Sequence, residues 1–407
     1  MQQKYIQRSL DPVITHAASE FPAVVLTGPR QSGKTTLLKY LFGGRYKYIS
    51  VEPPDVRTAA NVDPRGFLEQ YSPPVIIDEI QHAPDLLPYI KEMIDVDRNR
   101  NGQFLLTGSQ NILLSEKVTE SLAGRAALLR LLPLSKREEQ RVPQKPAVWE
   151  NKDAPNGKNI EGFARLWKTF LRGGYPELAV SPRRDISLWH SSYIQTYLER
   201  DIRSLRQVGN LTQYQSFLRV LAARSGQLLN MTNLSRDLGV AVNTIKIWLS
   251  ILEATYQVTV LRPYHTNIGK RLVKTPKVFF SDVGTLCHLV GLKDPEHAVA
   301  GPMGGTIFET AVLSEIVRTL THKGIQPEVY FWRTFAGSEV DFIVNTEHGL
   351  IPIEAKISAT PNPSMASKIQ TLQKDLGDDV QQGYIVHPGD VRLPLGQRVT
   401  AIPFADL

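Results

Sequence analysis

Apolar and polar positions follow two rhythms along this chain, and the change of rhythm marks its parts. Over residues 1–138, short apolar runs (Ala23-Val24-Val25-Leu26, Val75-Ile76-Ile77, Phe104-Leu105-Leu106 and Leu128 to Leu132, the last interrupted by Arg130) alternate with longer helix-compatible stretches. Such runs are strands buried on both faces, so the pattern predicts an α/β unit with a parallel sheet and flanking helices. Residues 139–160 break the rhythm with three prolines among polar residues and read as a linker. Helical spacing returns with Phe163, Leu166, Trp167 and Phe170 at i, i+3, i+4 and i+7. Residues 161–265 are expected to be a helical lid followed by a winged helix. Its third helix starts from an Asn243 cap, buries Ile245, Trp248, Leu249 and Leu252, and turns Thr244, Lys246, Ile247, Ser250 and Ile251 outward; Tyr256 to Val260 is the expected wing strand. One cation on that outward face favours packing or protein contact over DNA reading. Period-2 alternation then takes over on both sides of a polar turn at 345–349, which predicts a hairpin within a C-terminal unit spanning 266–407.

The first apolar run leads into Gly28-Pro29-Arg30-Gln31-Ser32-Gly33-Lys34-Thr35, a GxxxxGKT phosphate loop in a strand–loop–helix context. Gly28 and Gly33 permit backbone dihedrals and an approach that a Cβ forbids. Successive N–H groups and a helix N-terminus cradle phosphate oxygens, Lys34 reaches the β/γ-phosphates, and the Thr35 hydroxyl binds Mg²⁺. Gly28 through Thr36 form the expected ATP-binding set. The second run ends in Asp78-Glu79, a Walker B element in which Asp78 holds Mg²⁺ and Glu79 polarises the attacking water. The third ends at Ser109, placed to sense the γ-phosphate or to cap the next helix, two compatible roles. Arg125, at a helix end before the fourth run, is either a cation acting in a neighbouring subunit's site or a surface arginine beside a helix terminus. Arg200 and Arg203 reach the nucleotide from the lid or face solvent.

In order, GPRQSGKT, VIIDEIQ, LLTGSQ and SLAGRA resemble an AAA-type ATPase family of bacteria and archaea, in which the ATPase core precedes a region containing a nuclease-like fold. The resemblance covers most of the chain. It implies a sensor role for Ser109, an arginine-finger role for Arg125, and assembly into a homo-oligomer, since a finger needs a neighbour.

With 407 residues the chain exceeds one ordinary core. Apolar content of 42% and charged content of 21% are those of a globular protein. No apolar stretch approaches the ~20 residues of a membrane helix, and MQQKYIQRSLDP lacks a signal-peptide apolar region. A single cysteine, Cys287, excludes an internal disulfide and lies in an apolar helical stretch as a core thiol. A cytoplasmic protein with no membrane partner is expected. The net charge of +7 adds modest weight to a DNA or RNA partner.

A second constellation sits in the hairpin. A turn symmetric about Glu347 and His348 sets Asp341 opposite Glu354 and Glu339 opposite Lys356, with Glu309 in an upstream helix able to meet the hairpin's end. This D…ExK spacing with a helical glutamate resembles the restriction-endonuclease-like nuclease fold. The resemblance implies that Glu309, Asp341 and Glu354 hold a second Mg²⁺ or Mn²⁺ and that Lys356 positions the attacking water. The alternative is a cross-strand ion pair, Glu339–Lys356, on a wet sheet face. Two facing carboxylates weigh against it, because like charges directly opposite destabilise a sheet without a cation between them. Two functions remain: an ATP-controlled nuclease, or a non-cleaving ATP-driven switch that binds a protein or nucleic acid.

Overall fold

The computed structural model describes residues 5–109, 121–150, 162–198, 211–265, 275–335 and 337–407. Arg200, Arg203 and the helix expected after Ser109 lie outside these residues.

The N-terminal apolar runs become β1 (Ala23–Thr27), β2 (Lys47–Ser50), β3 (Val75–Asp78), β4 (Phe104–Gly108) and β5 (Ala126–Arg130). They form an all-parallel sheet in the order β2-β3-β4-β1-β5. Alternate residues of β1 feed different cores: Ala23 and Val25 pack with β3, β4 and the helix Leu87–Val96, whereas Val24 and Leu26 pack with the helices Asp11–Glu20 and Lys34–Phe42. Both faces are covered, which is why these strands read as apolar runs. This order puts the end of β4 between the loop after β1 and the acids after β3.

A second, mixed sheet runs β12-β13-β11-β10-β9-β8-β6-β7. Its strands are β6 (Val258–Pro263), β7 (Lys277–Phe280), β8 (Val329–Arg333), β9 (Glu339–Thr346), β10 (Gly349–Ala355), β11 (Gly383–His387), β12 (Leu393–Pro394) and β13 (Val399–Pro403). The hairpin has the expected register, with Thr346 opposite Gly349 and Phe342 opposite Ile353. A 19-residue helix, Gly304–His322, precedes the β8-β9-β10 meander, and the helix Ser367–Leu376 links β10 to its parallel neighbour β11.

Several expectations about the middle of the chain change. β6, expected as a wing strand, pairs antiparallel with β7 and parallel with β8, so the expected boundary at 265/266 falls between two strands of one sheet. Trp167 and Trp248 share one buried cluster with Phe308 and Phe342, so the middle helices and the C-terminal sheet have a common core. The helix Val242–Ala254 buries Ile245, Trp248, Leu249 and Leu252 as expected, but it starts at Val242 with Ala241 at its N-cap rather than Asn243. Ile251, expected outward, is also buried, because β6 and its neighbours cover a second side of that helix. Cys287 is buried, and burial pushes its thiol up to about 12.

Candidate functional site: the phosphate loop and the C-terminal carboxylates

Gly28 takes φ +145°, and a Cβ there would sit 2.1 Å from the Leu131 carbonyl oxygen, so only glycine lets β1 turn into the loop. Gly33, at φ +97°, opens the helix Lys34–Phe42. Lys34 is buried, and its ammonium donates to the carbonyls of Gly28 (3.0 Å) and Pro29 (2.9 Å). The Thr35 hydroxyl lies 2.9 Å from both carboxylate oxygens of Asp78. Asp78 also accepts from the Tyr48 hydroxyl at 2.8 Å and from the Thr107 hydroxyl. The buried Ser32 hydroxyl has no hydrogen-bond partner among the described residues. An orphaned hydroxyl on the loop, a glycine that tolerates no Cβ, and a Thr–Asp oxygen pair fit a nucleoside triphosphate with Mg²⁺.

A cleft of about 320 Å³ opens over the loop, lined by Gln31, Gly33, Lys34, Thr35, Thr36 and Glu79. Tyr5, Ile6, Arg8, Pro176 and Val180 line the same cleft. The Tyr5 ring is held by stacking on Tyr40 at 3.8 Å between centroids. Of the expected nucleotide set, Gly28, Pro29, Arg30 and Ser32 lie in the loop without lining this cleft.

Glu79 sits in the left-handed region at φ +59°, a conformation costing a non-glycine residue about 1–2 kcal/mol. Its N–H is fixed to the Thr107 hydroxyl at 3.0 Å. That turn brings its carboxylate within 3.1 Å of the Ser109 hydroxyl and onto the Gln81 amide, which reaches Ser109 as well at 3.1 Å. Burial raises the Glu79 carboxyl, but Lys34, the Gln81 and Ser109 hydrogen bonds and Arg30 outweigh it, so the net shift is below the ordinary glutamate value. The Glu79 carboxylate is thus charged and oriented at neutral pH.

Arg125 is elsewhere. Its carbonyl accepts the Ala23 N–H (3.1 Å) at the N-terminal edge of the sheet, whereas the phosphate loop leaves the C-terminal edge. The strand between them rises about 16 Å, so Arg125 does not reach its own chain's loop. It forms a two-pronged pair with Asp95, at 2.7 and 3.0 Å.

In the C-terminal unit, the Asp341 carboxylate accepts the Ala355 N–H (2.9 Å), and Glu354 accepts the Asp341 N–H (3.2 Å). Glu354 is fully buried and pairs with Lys356 at 2.6 Å and Lys368 at 3.0 Å. Glu339 pairs with Lys277 at 2.6 Å and Arg333 at 3.6 Å, and Lys356 pairs with Glu354, so the alternative Glu339–Lys356 ion pair is not formed among the described residues. Lys277 also lies 3.5 Å from Glu309. Burial, then the charges of Glu354 and Glu309, raise the Asp341 carboxyl well above the usual range. Glu309 is raised by burial and by Glu339 against the opposing pull of Lys277. The chain therefore brings Glu309, Asp341, Glu354 and Lys356 to one end of the sheet. As they stand they do not form a metal-holding group, and no three His, Cys, Asp or Glu side chains do so among the described residues. Lysine ammonium groups pair with Glu309 and Glu354, whereas Asp341 is held by the Ala355 N–H.

Comparison with known proteins adds the following. Residues 20–139 match the family model of the AAA domain, and residues 164–296 and 304–407 match two domains of unknown function, DUF8612 and DUF4143. The uncharacterized proteins Rv2008c of Mycobacterium tuberculosis and Mb2031c of Mycobacterium bovis are each 32% identical over 394 residues, which is 96% of this chain and 82% of theirs. The chain belongs to the Rv2008c family. An uncharacterized protein of Haemophilus influenzae is 22% identical over 83% of both chains. Among solved structures, the Walker-type ATPase PABY2304 of Pyrococcus abyssi is similar at 15% identity and a TM-score of 0.46, over 71% of this chain and 97% of that one. This member of the Rv2008c family carries an AAA-type P-loop ATPase domain, and among its described residues no helix is long and apolar enough to cross a membrane.

Several residues that hold the candidate site together escape motif reading. Tyr48 and Thr107 hold Asp78, Gln81 holds Glu79, and Lys277 and Lys368 join the C-terminal carboxylates. Gln81, two residues past Glu79 in the VIIDEIQ run, carried a local signal; the others meet their partners only through the fold.

Proposed function

We propose that this protein is a Mg²⁺-dependent ATPase whose nucleotide state governs its C-terminal unit. The observation that carries the reading is the junction of Thr35 with Asp78 beside the Glu79–Gln81–Ser109 group, at the mouth of the phosphate loop. Lys34 exchanges the Gly28 and Pro29 carbonyls for phosphate oxygens. Thr35 and Asp78 would hold Mg²⁺, which when bound neutralises phosphate charge. Glu79 takes a proton from water while Ser109 and Gln81 fix its carboxylate. Arg125 acts on a neighbouring copy, a role supported by its distance from its own loop. One experiment tests these assignments: ATP turnover over a protein-concentration series for wild type, Lys34→Ala and Arg125→Ala. Specific activity should rise with concentration in wild type, fall at least tenfold in Lys34→Ala, and lose its concentration dependence in Arg125→Ala. Wild-type turnover in Lys34→Ala would sink the ATPase assignment, and an inert Arg125→Ala change would remove the shared site.

A second reading, metal-dependent cleavage of DNA or RNA, rests on Asp341. Its carboxyl is raised by two acidic neighbours, an environment that a divalent cation would relieve. Calorimetric titration of the full chain with Mn²⁺ in the presence of excess ADP tests it. A binding event absent from Asp341→Ala supports the reading. Identical heats in both proteins leave the non-cleaving switch, with the carboxylate–lysine group as structural pairing.

A further inference from the structure

A buried charged group joins the phosphate loop to the C-terminal unit, and neither the ATP chemistry nor the carboxylate group accounts for it. Arg8, Glu138 and His322 are each at most 3% exposed. One guanidinium N–H of Arg8 donates to the carbonyl of Ser32, inside the phosphate loop, at 2.9 Å, and another to the Leu132 carbonyl at 2.6 Å. The Arg8 Nε lies 3.1 Å from Glu138, and so does Nδ1 of His322, both off the ideal hydrogen-bond direction. The remaining lone pairs of Glu138 accept N–H groups from Ser9 (2.8 Å) and Ser135 (2.9 Å). The Leu132 N–H donates to Nε2 of His322 at 3.1 Å. Nε2 is therefore the acceptor, and Nδ1 is the ring nitrogen that faces the carboxylate.

Residues 131–138 are thus held from both sides. On one side Gly28 abuts Leu131, and Arg8 ties Leu132 to Ser32. On the other, the helix Gly304–His322 grips the same segment: Glu315 accepts the Lys136 N–H (3.0 Å), Arg318 donates to the Leu134 carbonyl (3.0 Å), and Thr319 accepts from Arg137 (2.7 Å). That helix carries Glu309, about 20 Å away along its axis at 1.5 Å per residue, beside Lys277 and the C-terminal carboxylates.

We propose that Arg8, Glu138 and His322 are positioning residues that couple occupancy of the phosphate loop to the Gly304–His322 helix. Phosphate binding requires Lys34 to leave two loop carbonyls, and the loop that rearranges is the one Arg8 holds through Ser32. A close-packed contact between buried, oppositely charged groups transmits such a shift rather than absorbing it. The C-terminal unit thereby receives the nucleotide state without touching nucleotide. This rests on the ATP-binding reading, and the test separates the two.

Hydrogen–deuterium exchange of the full chain is compared with and without the non-hydrolysable ATP analogue AMP-PNP plus Mg²⁺, with AMP-PNP binding measured separately by calorimetry. In wild type, exchange over residues 304–322 should change by about fivefold, the lower end of typical coupling. His322→Ala should bind AMP-PNP and lose that response. His322→Gln should restore much of it, because glutamine supplies both a donor for Glu138 and an acceptor for the Leu132 N–H. A purely structural histidine would lower thermal stability in His322→Ala yet leave the nucleotide-dependent difference in place, which would overturn the proposal. Should His322→Ala fail to fold, Arg8→Lys serves: lysine keeps the charge but cannot hold Ser32, Leu132 and Glu138 at once. An undiminished helix response in Arg8→Lys overturns the coupling as well. Absence of AMP-PNP binding by wild type would overturn the ATP reading and the coupling together, and calorimetry alone would reveal it.

Discussion

Glu79→Gln lowers ATP turnover by about 10²- to 10⁴-fold, the span associated with a positioned general base, while nucleotide affinity stays near wild type. Glutamine matches the shape of glutamate, so the left-handed turn at residue 79 and the N–H bond to Thr107 survive. Its amide also remains able to meet the Ser109 hydroxyl and the Gln81 side chain. What is lost is the negative charge that Lys34 and Arg30 hold ionised, and with it the capacity to accept a proton from water. Thr35 and Asp78, the residues assigned to the metal, are untouched. The effect therefore falls on kcat, and ATP binding measured by calorimetry should report the same Kd as wild type. A turnover loss smaller than about tenfold would assign the proton transfer to another group. A loss of affinity equal to the loss of turnover would instead show that Glu79 supports the loop rather than the chemistry.

The two halves of the site were unequally legible in the sequence. The phosphate loop could be read because every requirement is local: Gly28 and Gly33 serve backbone positions, and Lys34 and Thr35 stand beside them. The hairpin register was equally accessible, since a symmetric turn at residues 347 and 348 fixes which residues face each other. What pairs with those residues was not. Glu339 turns to Lys277, which is 62 residues earlier and on the far side of β8, rather than to Lys356. β6 joined the C-terminal sheet because its partners β7 and β8 come later in the chain, so its own sequence reads as well for a wing. Arg8 shows the same limit most sharply. It is one arginine near the start of the chain with no motif around it, yet its partners lie 24, 124 and 130 residues away in Ser32, Leu132 and Glu138. The chemistry of a compact loop is written in consecutive residues, whereas a buried ion group is written in residues that only the completed fold brings together.

Glu138→Ala should destabilise the fold by about 3–5 kcal/mol, the cost of breaking a buried ion pair by removing one partner. Glu138 is fully buried, and its carboxylate faces Arg8 and His322 while accepting two backbone N–H groups. Alanine leaves the Arg8 guanidinium buried without its counter-charge and two amides without acceptors. It also removes the capping box that Glu138 closes with Ser135 at the start of the Lys136–Glu139 helix. Glu138→Gln, which restores part of the hydrogen bonding but no charge, should fall between the two. The pH dependence carries a sign. Burial raises the Glu138 carboxyl, but Arg8 and His322 outweigh it and hold it well below the ordinary glutamate value. A depressed folded value means that the unfolded chain takes up the proton first as pH falls. The stabilisation is therefore present in full above the unfolded carboxyl value of about 4.3 and is lost progressively as pH drops below it. Urea midpoints of wild type and Glu138→Gln, measured from pH 7 downward, should differ by a constant amount until about pH 5 and by a progressively smaller amount as pH falls below about 4. A gap that persists undiminished into that acid range would mean that Glu138 stabilises the junction through shape and hydrogen bonding rather than through its charge.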